Sequence, residues 1–195
     1  MFAKKRKLEE HTPCENLIDD KERNIYSDGN KIYFFSPIDK YSVFCLNKEI
    51  DDVVFNLKLN KHISPFIQLF IHSDGGDLYA GISAMEHIRT CEIPIHSYVD
   101  GFVASAATLL LIASTKKFMF KYSEILIHQL TTGVWGKYEE IVEETKNCKK
   151  LMKNLKNLYK SFTAIPDEIL DQLMTKEITL NSSKCLKYKI VDCVI

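Results

Sequence analysis

Long apolar runs are missing from this 195-residue sequence. No stretch approaches the roughly 20 consecutive apolar residues that a membrane-crossing helix needs. The best candidate, around Ala104–Ala113, is too short, so no membrane role is expected. An excess of charge of either sign is missing too. The 26 Lys and Arg balance 26 Asp and Glu, which gives no broad footprint for a nucleic acid. Six cysteines are present, but no pair has the C-x-x-C spacing of a zinc or redox motif. Their scatter fits reduced thiols better than a disulfide framework, so a cytoplasmic setting is expected. The basic run Lys4–Lys7 leads straight into Leu8-Glu9-Glu10 without the apolar core of a secretory signal. It reads as part of a solvated tail more readily than as a nuclear-type targeting patch.

What is present is an ordinary globular composition, 46% apolar, on a length that suits one domain with a real core. Residues up to about Lys31 are polar and lack a sustained period, so they read as a tail or irregular entry, with a turn at Ser27–Asn30. Ile32–Phe35 has strand composition. Val43, Phe44, Leu46, Ile50, Val53, Val54 and Leu57 recur at helical spacing. Phe66–Ile71 predicts a buried strand, Leu78–Ile88 a helix, and Ile95–Val99 a strand that ends before a turn at Gly101. Ser105–Ile112 predicts a helix buried all round. Two short strands, near 117–120 and 124–127, come next. The longest period runs from Tyr138 to Phe162, with Ile141, Thr145, Cys148, Met152, Leu155, Tyr159 and Phe162 on one face. Such a face on so small a domain calls for a partner surface, and Leu155 and Tyr159 are expected in a subunit interface. Pro166 opens a shorter helix. A strand near 178–180, a helix over 182–188 and a strand near 190–195 close the chain. Alternating strands and helices predict repeated βα units on a largely parallel sheet.

Three segments could carry chemistry. Ser73-Asp74-Gly75-Gly76 lies between a strand and a helix, where glycines let backbone N–H groups face an oxyanion. Gly101–Ala107 carries Ser105 at a helix start among small neighbours. Ile127-His128-Gln129 sets a histidine at a strand end, and in open α/β sheets sites collect outside the carboxyl ends of strands. Taken singly, these read as a tight turn, an N-capping serine and a rim histidine. Taken together, they read as an oxyanion turn, a nucleophile and its base.

These three segments, together with Ile32–Asp39, resemble the signature regions of the proteolytic-subunit family of Clp proteases. The resemblance runs from about Asn24 to the C-terminus. It implies an α/β fold of the ClpP/crotonase type, one domain over 24–195 after a tail over 1–23, and a protruding handle helix over about 138–162. It implies a serine endopeptidase with Ser105 as nucleophile, His128 as general base, and the backbone N–H groups of Gly75 and Ala106 as oxyanion hole. No metal or organic cofactor is implied. The expected partners are polypeptide substrates, further copies of the chain in stacked rings, a tetradecamer by analogy, and an AAA+ unfoldase driven by ATP. The family's third catalytic residue is an aspartate, and the position matching it by spacing is Glu177. Other departures are Asp74 and Leu130 where the family has proline, and His72 where it has asparagine; His72 is expected to be structural. Two other readings stay open: a catalytically weak or inactive ring subunit, and a crotonase-type acyl-CoA enzyme.

Overall fold

A computed structural model describes residues 24–59 and 66–195. The expected tail over 1–23 lies outside the described residues. The chain enters through a strand that the sequence did not announce. β1 (Ile25–Asp28) pairs antiparallel with β2 (Lys31–Phe34) through a turn at Gly29. Tyr26, Ser27 and Asp28 are all exposed, so the alternation that betrays a half-buried strand is absent.

α1 (Lys40–Leu59) buries Val43, Leu46, Ile50 and Val53, the face read from their spacing. The Asp39 carboxylate starts it by accepting the N–H groups of Tyr41 and Ser42 at 2.8 and 2.7 Å. β3 (Ile67–Ser73) and α2 (Leu78–Thr90) follow, with Asp77 capping α2 by accepting the Ala80 N–H at 2.7 Å. β4 (Ile95–Ala104), α3 (Ala107–Ile112), β5 (Lys116–Met119) and β6 (Glu124–Leu126) come next, and all of α3 is buried. α4 (Tyr138–Phe162), α5 (Asp167–Thr175), β7 (Thr179–Asn181), α6 (Ser182–Lys187) and β8 (Cys193–Val194) complete the chain.

The sheet runs β1-β2-β3-β4-β5-β8, with β6 and β7 branching from β4. From β2 onward this path is parallel; β6–β7 is antiparallel. The α/β expectation with a largely parallel sheet therefore holds. Burial alternates along β3, with Ile67, Leu69 and Ile71 inside. The opposite face carries a ladder of stacked rings, Tyr33–Phe70–Tyr98–Phe118, at centroid separations of 5.0, 4.6 and 4.8 Å.

Two expectations need correction. β4 does not end before Gly101. It bends there, at φ 80, and continues to Ala104. His96–Val99 pair with β5, and Phe102–Ala104 then pair with β6. The kink thus hands one strand from one neighbour to another, which no local turn signal reveals. The second correction concerns α4. Its bounds match the sequence period, but Leu155 and Tyr159 are buried against the chain's own core, not set aside for a neighbour. The N-terminal half of α4 buries no residue.

Candidate active site

The end of β4, the start of α3 and the segment after β6 meet at one cavity of about 1100 Å³, and the side of α4 closes it. Ser105 and His128 both line this cavity. Ser105 follows the last residue of β4 and has φ 55. A non-glycine residue in that left-handed region costs ~1–2 kcal/mol, so the surroundings must hold it there. They do so from both sides. The Ser105 N–H donates to the Leu126 carbonyl of β6 at 2.9 Å, and the Ser105 carbonyl accepts the Thr108 N–H at 3.0 Å and the Thr108 hydroxyl at 2.6 Å. A sharp strand-to-helix turn of this kind lifts the serine hydroxyl clear of the sheet.

Gly75 and Gly76 divide the work of the first turn. Gly75 packs behind the nucleophile: at φ 90, a Cβ built on it would lie 2.6 Å from both the Ala104 carbonyl oxygen and Ser105 Cβ. Its N–H donates to Ser73 Oγ at 3.2 Å. Gly76 lines the cavity. Its neighbours carry the bridge to Ile38: the Gly75 carbonyl accepts the Ile38 N–H, and the Asp77 N–H donates to the Ile38 carbonyl, both at 2.8 Å. In a parallel bridge the central residue's own N–H then points the other way. Among the described residues, neither the Gly76 nor the Ala106 N–H is hydrogen-bonded. Ala106 also lines the cavity. Of the expected pair, the Ala106 N–H is unbonded and the Gly75 N–H is given to Ser73 Oγ, while the adjacent Gly76 N–H is also unbonded.

No side-chain hydrogen bond joins Ser105 to His128, or His128 to Glu177, among the described residues. Glu177 is exposed and stands just before β7. The β6–β7 register sets Glu124 opposite Asn181, Ile125 opposite Leu180 and Leu126 opposite Thr179. The pairing stops there; extended by two residues it would set His128 opposite Glu177, and opposed residues share one face of a sheet. The nearby acids Asp171 and Asp167 are committed elsewhere, to Lys156 at 2.5 Å and Lys160 at 2.7 Å. His72 has a structural setting: its Nδ1 lies 2.7 Å from the Asp100 carbonyl and its ring packs edge-on to Phe35. Leu130, at the family's proline position, has an N–H to give, and donates it to Met152 Sδ on α4 at 3.2 Å.

Two residues near the site, Thr108 and Tyr159, were not read from the sequence as part of it, and Gly76 only as one of the glycines of its turn. Gly76 is set apart from Gly75 by contacts that the sequence does not show: its N–H is unbonded, and an added Cβ would meet Ile38 rather than Ser105. Thr108 carried a signal, as the only polar side chain of α3. Tyr159 lines the cavity from α4, where its spacing predicts a partner-facing residue. Among the described residues, no group of three or more His, Cys, Asp or Glu is gathered closely enough to hold a metal ion.

Comparison with known proteins agrees with this fold. The family model described as Clp protease matches residues 29–195. The ATP-dependent Clp protease proteolytic subunit of Deinococcus radiodurans is 30% identical over 131 residues, which are 66% of this chain and 64% of that protein. The ATP-dependent Clp protease proteolytic subunit 2 of Treponema pallidum is 27% identical over 184 residues, 90% of this chain and 92% of that one. A solved structure of a ClpP1 mutant from Listeria monocytogenes shares the fold, with a TM-score of 0.71 at 21% identity, covering 83% of this chain and 88% of its own. With a family model matched across residues 29–195 and curated relatives about 30% identical, the chain belongs to the Clp protease family, as a divergent member.

Proposed function

We propose that this chain is a serine endopeptidase, the proteolytic subunit of an ATP-dependent Clp-type protease. One observation carries the reading: Ser105 is held in a strained strand-to-helix turn on the wall of a cavity that His128 also lines. Ser105 Oγ attacks the scissile carbonyl carbon while His128 takes its proton. The new oxyanion is met by the N–H groups of Gly76 and Ala106, with Gly75 serving as the backstop that keeps Ser105 forward. The C–N bond then breaks, and His128 returns the proton to the departing amine. Water attacks the acyl-enzyme by the same route and frees Ser105. Glu177 orients the imidazole once the β6–β7 register is extended. Catalytic hydrogen bonds are often long or unformed before substrate arrives, and ring contacts supply the same tightening here.

Apolar surface on the subunit supports the assembly reading. Phe44 on α1 and Trp135 before α4 are exposed and the aromatic ladder on the sheet is only half-buried, and apolar surface of this kind calls for a partner. We assign these surfaces to further copies in stacked rings, a tetradecamer, and to an ATP-driven AAA+ unfoldase that feeds polypeptides into the chamber. A reducing, cytoplasmic setting accords with the free thiols of Cys45, Cys91, Cys148, Cys185 and Cys193.

The test is labelling with a fluorophosphonate probe, followed by mapping of the modified residue. Ser105 is expected to carry the label, and Ser105→Ala to lose both label and peptidase activity while sedimenting like the parent. Activity in Ser105→Ala would remove Ser105 from the mechanism. An unlabelled, inactive but assembled parent would favour a structural ring subunit.

A further inference from the structure

Thr108 is fully buried, and its hydroxyl stands between two oxygens. The Ser105 carbonyl oxygen lies 2.6 Å away on one side and the Tyr159 hydroxyl 2.6 Å away on the other. A carbonyl can only accept, and a threonine hydroxyl has one proton. Thr108 therefore donates to Ser105, and Tyr159 donates to Thr108. Tyr159 is buried, and burial pushes its phenol up to about 12, so the proton that this chain needs stays in place.

The chain ends on the most exacting peptide of the site. The unit joining Ser105 to Ala106 is planar, so its carbonyl and the Ala106 N–H turn together. Holding the Ser105 oxygen with two donors, the Thr108 N–H and hydroxyl, sets the direction of the Ala106 N–H. Hydrogen bonds on the carbonyl also polarise the amide and strengthen its N–H as a donor. At φ 55 the backbone of Ser105 has strain to release if the hold weakens.

We propose that Tyr159 and Thr108 are positioning residues that aim the Ala106 N–H at the developing oxyanion, and so make oxyanion stabilisation depend on the seating of α4. The inference rests on the serine peptidase reading above. Neither residue needs to touch the reacting atoms. The aligned donor matters most when negative charge is fully developed, so losing the alignment lowers kcat and leaves KM largely alone. Complete loss of an oxyanion donor costs ~10²–10³ in kcat. Misalignment of one that remains present is expected to cost ~10-fold, the rate equivalent of about one hydrogen bond.

The experiment compares Tyr159→Phe, Thr108→Val, their double variant and Thr108→Ser in the assembled protein, using a fluorogenic peptide and the rate of fluorophosphonate labelling. Tyr159→Phe and Thr108→Val are each expected to lower kcat ~10-fold at unchanged KM, with labelling slowed in parallel, because the probe's tetrahedral adduct uses the same N–H. The double variant should fall no further than Thr108→Val, since both substitutions break one chain. Thr108→Ser keeps the donor and should restore most of the rate. Unchanged kcat in Tyr159→Phe, a loss seen only in KM, or equal rates for Thr108→Val and Thr108→Ser would overturn the proposal. Should Tyr159→Phe fail to assemble, the Val–Ser comparison at Thr108 decides the question by itself. An inactive, unlabelled parent would refute the peptidase reading instead, which keeps the two failures apart.

Discussion

Adding one methyl group at Gly75 tests the whole arrangement of the site. In Gly75→Ala, the new Cβ falls 2.6 Å from the Ala104 carbonyl oxygen, 2.6 Å from Ser105 Cβ and 3.0 Å from the Ala106 nitrogen. Comfortable separations begin near ~3.5 Å, so roughly 1 Å of relief is needed. All three atoms belong to the nucleophile turn, and none is the free end of a flexible side chain. The turn itself must therefore give. Misplacing reacting groups by ~1 Å costs on the order of 10²-fold in rate, so kcat/KM is expected to fall by about that factor. The backbone adds a separate cost: φ 90 lies outside what alanine adopts without strain, a penalty of ~1–2 kcal/mol to folding. Two controls separate the effects. Gly29 has φ 61 but nothing within 4 Å of an added Cβ, so Gly29→Ala should carry the folding penalty alone. That is worth about 2–8 °C in Tm for a domain of this size. Gly133 has neither the positive φ nor a neighbour and should tolerate alanine. Peptide hydrolysis and thermal melts of the three variants give the answer. Wild-type turnover in Gly75→Ala, or equal loss of turnover in Gly29→Ala, would refute the packing of Gly75 against the nucleophile.

Neutralising Glu177 in Glu177→Gln should keep the assembly but cost on the order of 10⁴-fold in kcat, as removal of a triad acid does elsewhere; Glu177→Asp should keep part of the rate, and a wild-type rate in Glu177→Gln would assign the orienting role to another group. Leu155→Asp is expected to melt the subunit well below the parent, because Leu155 lies in its own core; folded single rings by sedimentation would restore the interface reading. The two C-terminal thiols should differ in reactivity. Cys185 is buried and its thiol is pushed up to about 12, whereas Cys193 is exposed, so a disulfide reagent should modify Cys193 in the native protein and Cys185 only after denaturant. The Asp171 carboxyl is held below its ordinary value by the hydrogen bond and charge of Lys156. A depressed carboxylate stabilises the fold above its unfolded-state pKa and loses that contribution as pH falls through the folded-state value. Asp171→Asn should therefore melt slightly below the parent at neutral pH, with the gap closing in acid; a gap independent of pH would exclude the ion pair.

The sequence alone determined the elements whose residues repeat. A helix that buries one face writes its period into the chain, so Tyr138–Phe162 could be read to its ends, and Ser105–Ile112 could be read as a core helix, which the fold begins two residues later. The motifs also carried the family, because Ser105, His128 and the glycine pair stand at fixed offsets from recognisable strands. Tertiary structure decided what lies opposite each face. An amphipathic period says that Leu155 and Tyr159 need cover, but the identity of the cover, their own core, depends on contacts far away in the chain. β1 left no period because exposed side chains impose none. The path of β4 past Gly101 was set by two neighbouring strands that pair with successive parts of it. The two glycines read alike in the sequence, and only the fold brings the Ser73 hydroxyl to the Gly75 N–H and leaves that of Gly76 unbonded. Thr108 meets Tyr159 across a separation of 51 residues: a hydrogen bond needs its two atoms within about 3 Å in space, and only the folded backbone brings them there.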